Sequence, residues 1–235
     1  MTNSTNSTNS TNSTNSTNST NFTIDVVSDV VCPWCYIGKR KLEAALEMAR
    51  AAGLPEPQVR WHPFQLNPEL PAQGISRKQY LEDKFGGPQR AAEIYARVKA
   101  AGQAAGLELD IDGISRQPNT LAAHALLTYA QQQHGLAVGN DVKERLLKAY
   151  FIDNQFIGDV DVLVQIGAEA GLDADATRAF VTDAAQLQGV AAADARVREM
   201  GIGGVPFFIF NQKVAVSGAQ DPANLLAAMQ QSLQA

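Results

Sequence analysis

The sequence has little of what marks secreted, membrane-spanning or nucleic-acid-binding proteins. Its 235 residues include only two cysteines, Cys32 and Cys35, which excludes a framework of structural disulfides. No apolar run approaches the roughly 20 residues of a transmembrane helix, and no basic-then-apolar leader opens the chain. The formal net charge of -5 argues against nucleic acid as the main partner. We therefore expect a cytoplasmic protein that associates with neither membrane nor nucleic acid.

What the sequence does contain is enough apolar material for a sizeable core, since 45% of the residues are hydrophobic and 18% are charged. The exception is the stretch from Met1 to about Asn21, which repeats Asn, Ser and Thr and has no apolar residue after Met1. A segment of this composition cannot bury a core, so we expect residues 1–21 to form a disordered tail.

The two cysteines stand in Cys32-Pro33-Trp34-Cys35, between the apolar run Phe22–Val27 and an amphipathic helix predicted over 33–52. A C-x-x-C pair where a strand gives way to a helix is typical of a redox-active dithiol. The helix N-terminus stabilises a thiolate on the first cysteine, and the second lies about one turn further on. We predict that Cys32 exchanges disulfides with a partner and that Cys35 resolves the mixed disulfide.

Two other interpretations of the cysteine pair stay open, a zinc site and a pair of inert buried residues. Zinc usually takes four ligands, and the chain has no second C-x-x-C. The spacing of its histidines, His62, His124 and His134, matches no common zinc site. We expect no bound metal.

Three basic residues, Lys39, Arg40 and Lys41, follow on the second turn of the predicted helix. The simpler interpretation is a solvated face. The alternative is a positive field that lowers the thiol pKa or attracts an anionic tripeptide thiol.

Strands are predicted near both ends of the chain. Phe22–Val27 and Gln58–Leu66 flank the first helix, and Pro63 makes the second of these strands an edge strand or ends it. Near the C-terminus, Val205–Phe210 and Lys213–Ser217 form a hairpin before a last helix.

Between these strands, about 73–200, helical stripes follow one another with no convincing strand. The order is therefore βαβ, a block of helices, then ββα, which predicts an α/β protein. We expect a thioredoxin-like domain formed by 22–72 and 201–235, interrupted by an inserted all-helical domain. Helix starts are predicted from N-cap residues and Pro at Pro88, Pro118–Thr120, Asn140-Asp141, Asp159 and Asp173.

Motifs along the chain carry a resemblance to a known family. D-x-V-C-P-W-C-Y-I-G-K-R at 29–40 and G-V-P-F-F with V-S-G-A-Q at 204–220 are specific when they occur together in this order. W-H-P-F-Q-L-N-P at 61–68 and Q-P-N-T-L-A-A-H at 117–124 extend the match. From Phe22 to Leu233 the sequence resembles the DsbA-type thioredoxin superfamily, in particular its cytoplasmic FrnE-like dithiol oxidoreductase branch.

The resemblance implies further site residues. Pro206 would be a cis-proline opposite the cysteines, and Val205 before it would pair through its backbone with an extended substrate. Pro33 and Trp34 would contact substrate beside the sulfurs. In related isomerases the region of Asn119 and His124 lines a substrate cleft. The simpler interpretations of these last two residues are a helix cap and a satisfied histidine.

These expectations predict a thiol–disulfide oxidoreductase acting on protein or peptide thiols and disulfides. Glutathione or another small thiol would be its redox partner, with no bound cofactor. One alternative is a glutathione-dependent isomerase or transferase similar to 2-hydroxychromene-2-carboxylate isomerase, whose relatives usually lack the second cysteine. Another is a redox-dependent binding module or holdase that uses the helical domain as its platform. The direction of electron flow depends on the reduction potential and is not given by the sequence.

Overall fold

The computed structural model describes residues 22–234, with strands near both ends and a run of helices between them. This confirms the predicted α/β class, while the predicted tail, residues 1–21, lies outside the described residues. In chain order the elements are β1 (Thr23–Ser28), α1 (Pro33–Ala51), β2 (Gln58–Pro63), β3 (Ile75–Ser76), α2 (Arg77–Phe85), α3 (Pro88–Ala104), β4 (Arg116–Gln117), α4 (Leu121–His134), α5 (Leu136–Phe151), α6 (Val160–Glu169), α7 (Ala174–Thr182), α8 (Ala184–Glu199), β5 (Phe207–Phe210), β6 (Val214–Ser217) and α9 (Pro222–Gln234).

A four-stranded mixed sheet in the order β2-β1-β5-β6 joins the two ends of the chain. The central strand β1 runs parallel to β2 and antiparallel to β5, so Val26 pairs with Trp61 on one side and with Phe208 on the other. As a central strand, β1 is almost wholly buried, and only Asp25 is partly exposed. The first cysteine therefore follows directly from the end of a central strand.

The edge strand β2 ends at Pro63, as the sequence predicts, because proline has no N–H to donate to a ladder. Its outer edge is closed by one side chain of α4. The Gln131 amide accepts a hydrogen bond from the Trp61 N–H at 2.8 Å and donates one to the Trp61 carbonyl at 2.9 Å. Gln131 thus supplies the partner that a neighbouring strand would otherwise provide.

Aspartate side chains cap the N-termini of several helices in the insertion. Asp159 accepts a hydrogen bond from the N–H of Asp161, and Asp173 accepts one from Ala176, which confirms the predicted starts of α6 and α7. Asp183 caps α8 in the same way, a start that the sequence analysis missed.

Three details of the insertion correct the sequence analysis. It is not entirely helical, because Ile75 and Ser76 pair with Gln117 and Arg116 in a two-residue ladder. A separate helix, α2, precedes the one that starts at Pro88. Helix α5 begins at Leu136 and not near Asn140, because Gly135 breaks the chain with a φ of 91°.

The sheet and the inserted helices share one hydrophobic core. Ile24 and Phe208 from the sheet belong to the same cluster of buried residues as Leu126 and Leu146 from the insertion and Met229 from α9. Helix α1 contributes Tyr36 and Ile37 to the same core. Within residues 22–234, no helix is both long and apolar enough to cross a membrane.

Candidate active site

The two cysteines lie at the start of α1. Cys32 is its N-cap residue in an extended conformation, Pro33 occupies the first turn, and the Cys35 N–H donates to the Cys32 carbonyl at 3.0 Å. Both are free thiols. Cys32 is 5% exposed and Cys35 1%, so the first sulfur is the more accessible one, as expected for the residue that meets a substrate.

A loop from the far end of the chain faces Cys32. The Val205–Pro206 peptide bond is cis, and the Cys32 thiol donates to the Val205 carbonyl with Sγ and O 3.8 Å apart. Pro206 is buried, whereas Val205 and Pro33 are half-buried and Trp34 is exposed. Pro33, Trp34 and Val205 thus keep accessible side chains, and their contact with substrate stays a prediction.

Gly38 allows α1 to approach this loop, a role that the sequence analysis did not identify. A Cβ atom at position 38 would lie 2.8 Å from Pro206 Cγ and 3.3 Å from Phe208 Cζ. The available signal was a glycine inside a predicted helix. Glycine lowers helix stability, so its presence there suggests that another part of the chain packs closely against it.

Asn119 stabilises the start of α4 instead of presenting its amide to a cleft. Its Oδ1 accepts from the Leu121 N–H at 2.9 Å, and its Nδ2 donates to the carbonyls of Leu70 at 2.7 Å and Pro68 at 3.2 Å. These bonds fit the capping interpretation. They also tie the connector after β2 to α4.

His124 is fully buried, and this corrects the prediction that it contacts substrate. Its Nε2 lies 3.2 Å from Oδ1 of Asp29, which belongs to the turn between β1 and α1. Substrate in an open cleft cannot reach this ring. His124 instead connects helix α4 to the turn that carries the cysteines.

Asp29 is buried beneath the cysteines, and it too was not predicted as a site residue. Its carboxylate accepts hydrogen bonds from the N–H groups of Val30 at 2.7 Å and Leu66 at 2.8 Å, besides its contact with His124. Burial acts to raise its pKa, but His124, Leu66 and the charge of Lys143 lower the pKa below the ordinary value. The carboxylate is therefore ionised at neutral pH.

Lys143 of α5 is a buried lysine beside the same site. It is 0% exposed, and its Nζ makes no hydrogen bond within the described residues and lies 5.3 Å from the centre of the Trp61 ring. Burial lowers its pKa to about 8, although the charges of Cys35 and Asp29 favour the ammonium form. It lies on a stripe of buried residues with Leu146, Leu147 and Tyr150.

The surroundings of the two thiols shift their pKa values in opposite directions, which the sequence analysis did not predict. The hydrogen bond to Cys35, followed by burial, raises the pKa of Cys32. Burial also acts to raise the pKa of Cys35, but the hydrogen bond from Cys32, the charge of Lys143 and the hydroxyl of Ser28 together lower it. The surroundings thus favour the thiolate on Cys35 more than on Cys32 in the dithiol.

The basic residues after the motif are not a solvated face. Lys39 is buried and forms ion pairs with Glu43 and, at 2.8 Å, with Glu144 of α5. Arg40 pairs with the same two carboxylates. These contacts join α1 to the insertion and offset the positive field. Lys41 pairs with Asp221 at 2.8 Å.

The zinc interpretation would require a cluster of metal-binding side chains. Within residues 22–234, no group of three or more His, Cys, Asp or Glu side chains is arranged to hold a metal ion.

Comparison with known proteins identifies the family. Residues 23–230 match the family model described as a DSBA-like thioredoxin domain. The chain belongs to this family. The predicted membership of the DsbA-type thioredoxin superfamily, and with it the thioredoxin-like fold, is therefore confirmed, and the FrnE-like branch stays a prediction.

Individual relatives agree with this assignment. The chain is 28% identical over 150 residues to the uncharacterised protein YwbO of Bacillus subtilis (strain 168), a match over 64% of this chain and 66% of that protein, just under two thirds. A probable DsbA oxidoreductase from Streptomyces coelicolor has a TM-score of 0.78 at 28% identity, covering 91% of this chain and 90% of the other. The cytosolic disulfide reductase DsbM of Pseudomonas aeruginosa, solved with GSH, has a TM-score of 0.63 at 21% identity, over 91% and 100% of the two chains.

Proposed function

We propose that this protein is a thiol–disulfide oxidoreductase that cycles Cys32 and Cys35 between dithiol and disulfide. One observation supports it most directly. The more exposed thiol of a C-x-x-C pair, Cys32, lies 3.8 Å from the carbonyl of Val205, with a second free thiol behind it. An extended peptide placed along Val205 would bring its sulfur to Cys32.

The exchange proceeds in two substitutions at sulfur. Cys32 gives up its proton, and its thiolate attacks a substrate disulfide. A bond forms between Cys32 and one substrate sulfur while the other sulfur leaves as a thiolate. Cys35 then gives up its proton and attacks Cys32, which forms the Cys32–Cys35 disulfide and releases the second substrate thiolate. The two leaving thiolates take up the two protons that the cysteines gave up. The substrate gains two electrons, and the enzyme loses two.

Two thiols of a reducing partner return these electrons by the reverse steps and leave as a disulfide. We propose protein or peptide disulfides as substrates and glutathione or another small thiol as this partner, without a bound cofactor. The disulfide reductase DsbM, which has a similar fold, was solved with GSH, and this supports a thiol of that kind. A cytoplasmic location stays part of the proposal.

The test is the reduction of insulin disulfides in the presence of a thiol. The wild-type protein accelerates the reaction, and Cys32→Ser abolishes the acceleration because no mixed disulfide can form. Cys35→Ser retains the first step and accumulates a mixed disulfide with glutathione, which intact-mass spectrometry detects. Full activity in Cys32→Ser would disprove the proposal. Full activity of Cys35→Ser in glutathione-dependent isomerisation would favour the isomerase alternative.

A further inference from the structure

Arg77, the first residue of α2, is a buried cation whose partners are all neutral. Its side chain is 5% exposed, and no carboxylate within residues 22–234 forms an ion pair with it. Nη1 donates hydrogen bonds to Oε1 of Gln117 and, at 3.5 Å, to the Tyr150 hydroxyl, and Nη2 donates to the Tyr95 hydroxyl at 2.6 Å. Arginine is almost never fully buried without an opposite charge, so this arrangement requires an explanation.

The guanidinium group of Arg77 also has unused donors. An arginine side chain carries five N–H groups, and only three acceptors lie within hydrogen-bond distance. The Nε–H is buried and has no acceptor within the described part of the chain. The rings of Tyr80 and Tyr95 lie 5.2 and 5.3 Å from Cζ, and such contacts stabilise a cation without supplying a negative charge. Burial raises the pKa of Tyr95, so its phenol stays neutral as well.

A cavity of about 510 Å³ reaches Arg77 between α2, α3 and residues 111–115. Small-molecule pockets usually have volumes of roughly 300–1,000 Å³, so this one is large enough for a ligand. No residue of the C-x-x-C motif or of the Val205–Pro206 loop lines it, and it therefore goes beyond the site proposed for disulfide exchange. Its walls are largely aliphatic and include Leu81, Ala91, Ala92, Ala96, Ile111 and Ile114.

The other charged residues that line the cavity are paired with each other. Lys99 forms an ion pair with Asp112, and Lys78 lies 4.0 Å from Glu82. Among the charged residues around the cavity, all of which lie within the described part of the chain, Arg77 is therefore the one without an opposite charge. A molecule that fits this cavity should bring one negative charge and an otherwise apolar surface.

We propose that this cavity binds an aliphatic monocarboxylate, whose carboxylate accepts hydrogen bonds from Arg77. A carboxylate has one charge and two oxygens, which match one unpaired guanidinium and its two unused N–H groups. A phosphate dianion would bring a second negative charge, and the lysines of the cavity are already paired. The aliphatic walls suit an alkyl chain. Ala92 and Ala96, one turn apart on α3, leave room for it.

Calorimetric titration of the full chain with decanoate tests this proposal, with decanol and acetate as matched probes. Decanoate should bind with one molecule per chain. Decanol has the same alkyl chain without the charge and should bind at least about tenfold more weakly, because hydrogen bonds to a charged group are lost. Acetate has the charge without the chain and should show no binding at the same concentrations.

Two variants locate the binding site. Arg77→Met should weaken decanoate binding at least about tenfold and leave decanol binding nearly unchanged. Its control is Arg97→Met, which removes an exposed arginine of α3 outside the cavity and should alter neither. Ala96→Phe fills the cavity and leaves Arg77 in place, so it should abolish the binding of both probes. Its control is Ala100→Phe, at an exposed position one turn further along α3 that does not line the cavity.

The position of Ala96 is exposed, so Ala96→Phe keeps the test decisive even if Arg77→Met does not fold. The proposal would be overturned if decanoate did not bind, if decanol bound as tightly as decanoate, or if Ala96→Phe bound decanoate like the wild type. Tighter binding of decyl phosphate than of decanoate would overturn the choice of a carboxylate. None of these measurements involves the sulfurs, so their outcome is independent of the proposed disulfide exchange.

Discussion

At the scale of single residues, the contact between Gly38 and Pro206 limits what the site tolerates. Helix α1 comes so close to the Val205–Pro206 loop that a Cβ at position 38 would lie 2.8 Å from Pro206 Cγ. Proline is rigid and buried, so this atom cannot turn away as the end of a flexible side chain could. Either the helix or the loop facing Cys32 has to shift.

We therefore predict that Gly38→Ala lowers the free energy of unfolding by about 1–3 kcal/mol, the usual range for overpacking. The rate of insulin reduction should also fall, because the loop facing Cys32 moves. Urea unfolding and the reductase assay measure the two effects.

Gly189→Ala is the control for this substitution. Gly189 is also inside a helix, α8, but nothing lies within 4 Å of an added Cβ. Alanine should stabilise that helix by about 0.5–1 kcal/mol and leave the reductase rate unchanged. If Gly38→Ala behaved as Gly189→Ala does, the close contact would not constrain the site.

The site residues that could be predicted from the sequence depend on neighbours close to them along the chain. Those that were missed depend on residues far away in the sequence. Cys32 and Cys35 follow from local spacing, and Pro206 follows from a motif. Lys143 and Asp29 are recognised as buried groups only in the folded chain, because their burial depends on how α5 and α4 pack against the turn after β1. A lysine one position after the predicted face residue Val142 looks solvent-exposed until the second packed side of α5 is known.

At the scale of elements, local contacts were again predictable and distant ones were not. Asp159 and Asp173 mark helix starts because a side-chain cap is a contact within three residues. The ladder between Ile75 and Gln117 joins segments about 40 residues apart, and no local pattern encodes it. The paired bases Lys39 and Arg40 of α1 were likewise misinterpreted, since one of their two partners, Glu144, lies in another helix.

Glu144 links α1 to α5 and makes their packing sensitive to acid. It contacts Lys39 and Arg40 and accepts a hydrogen bond from the Tyr36 hydroxyl at 2.8 Å. Burial acts to raise its pKa, but Arg40, Lys39 and Tyr36 lower it to about 2. A carboxyl group whose pKa is lower in the folded state stabilises the fold above its ordinary pKa. This stabilisation is lost as the pH falls from about 5 to about 2.

We predict that Glu144→Gln lowers the free energy of unfolding at neutral pH by about 1–3 kcal/mol, after allowance for partial solvent screening. The difference from the wild type should shrink as the pH falls through this window, because the wild-type carboxylate then becomes neutral too. Urea unfolding at a series of pH values measures it.

Glu47→Gln removes an exposed carboxylate from the same helix α1 and should change stability by less than about 0.5 kcal/mol at any pH. A Glu144→Gln variant whose deficit stays constant from neutral to acid pH would show that the amide disrupts packing and that the charge is irrelevant.

At the scale of the whole molecule, the two domains predicted from the sequence share one continuous hydrophobic core. The order βαβ, helices, ββα is visible in the sequence because strands and helices differ in period. Whether the insertion folds by itself is not visible there, because apolar stripes do not reveal their partners. In the structure, Ile24 and Phe208 of the sheet share a core with Leu126 and Leu146 of the insertion. We therefore expect the chain to unfold in one cooperative step.

Met229→Ala tests this cooperativity from the sheet side of the molecule. Met229 is a fully buried residue of α9, a helix that packs against α1 and β6, and its truncation should cost about 2–5 kcal/mol. Most of the helical circular-dichroism signal comes from α2–α8. If the core is shared, that whole signal shifts to lower urea in a single transition.

Met200→Ala is the control, because Met200 is 68% exposed and its truncation removes little buried area, so its curve should follow the wild type. Independent domains would give a different result for Met229→Ala. A small early transition would separate from a main transition at the wild-type midpoint.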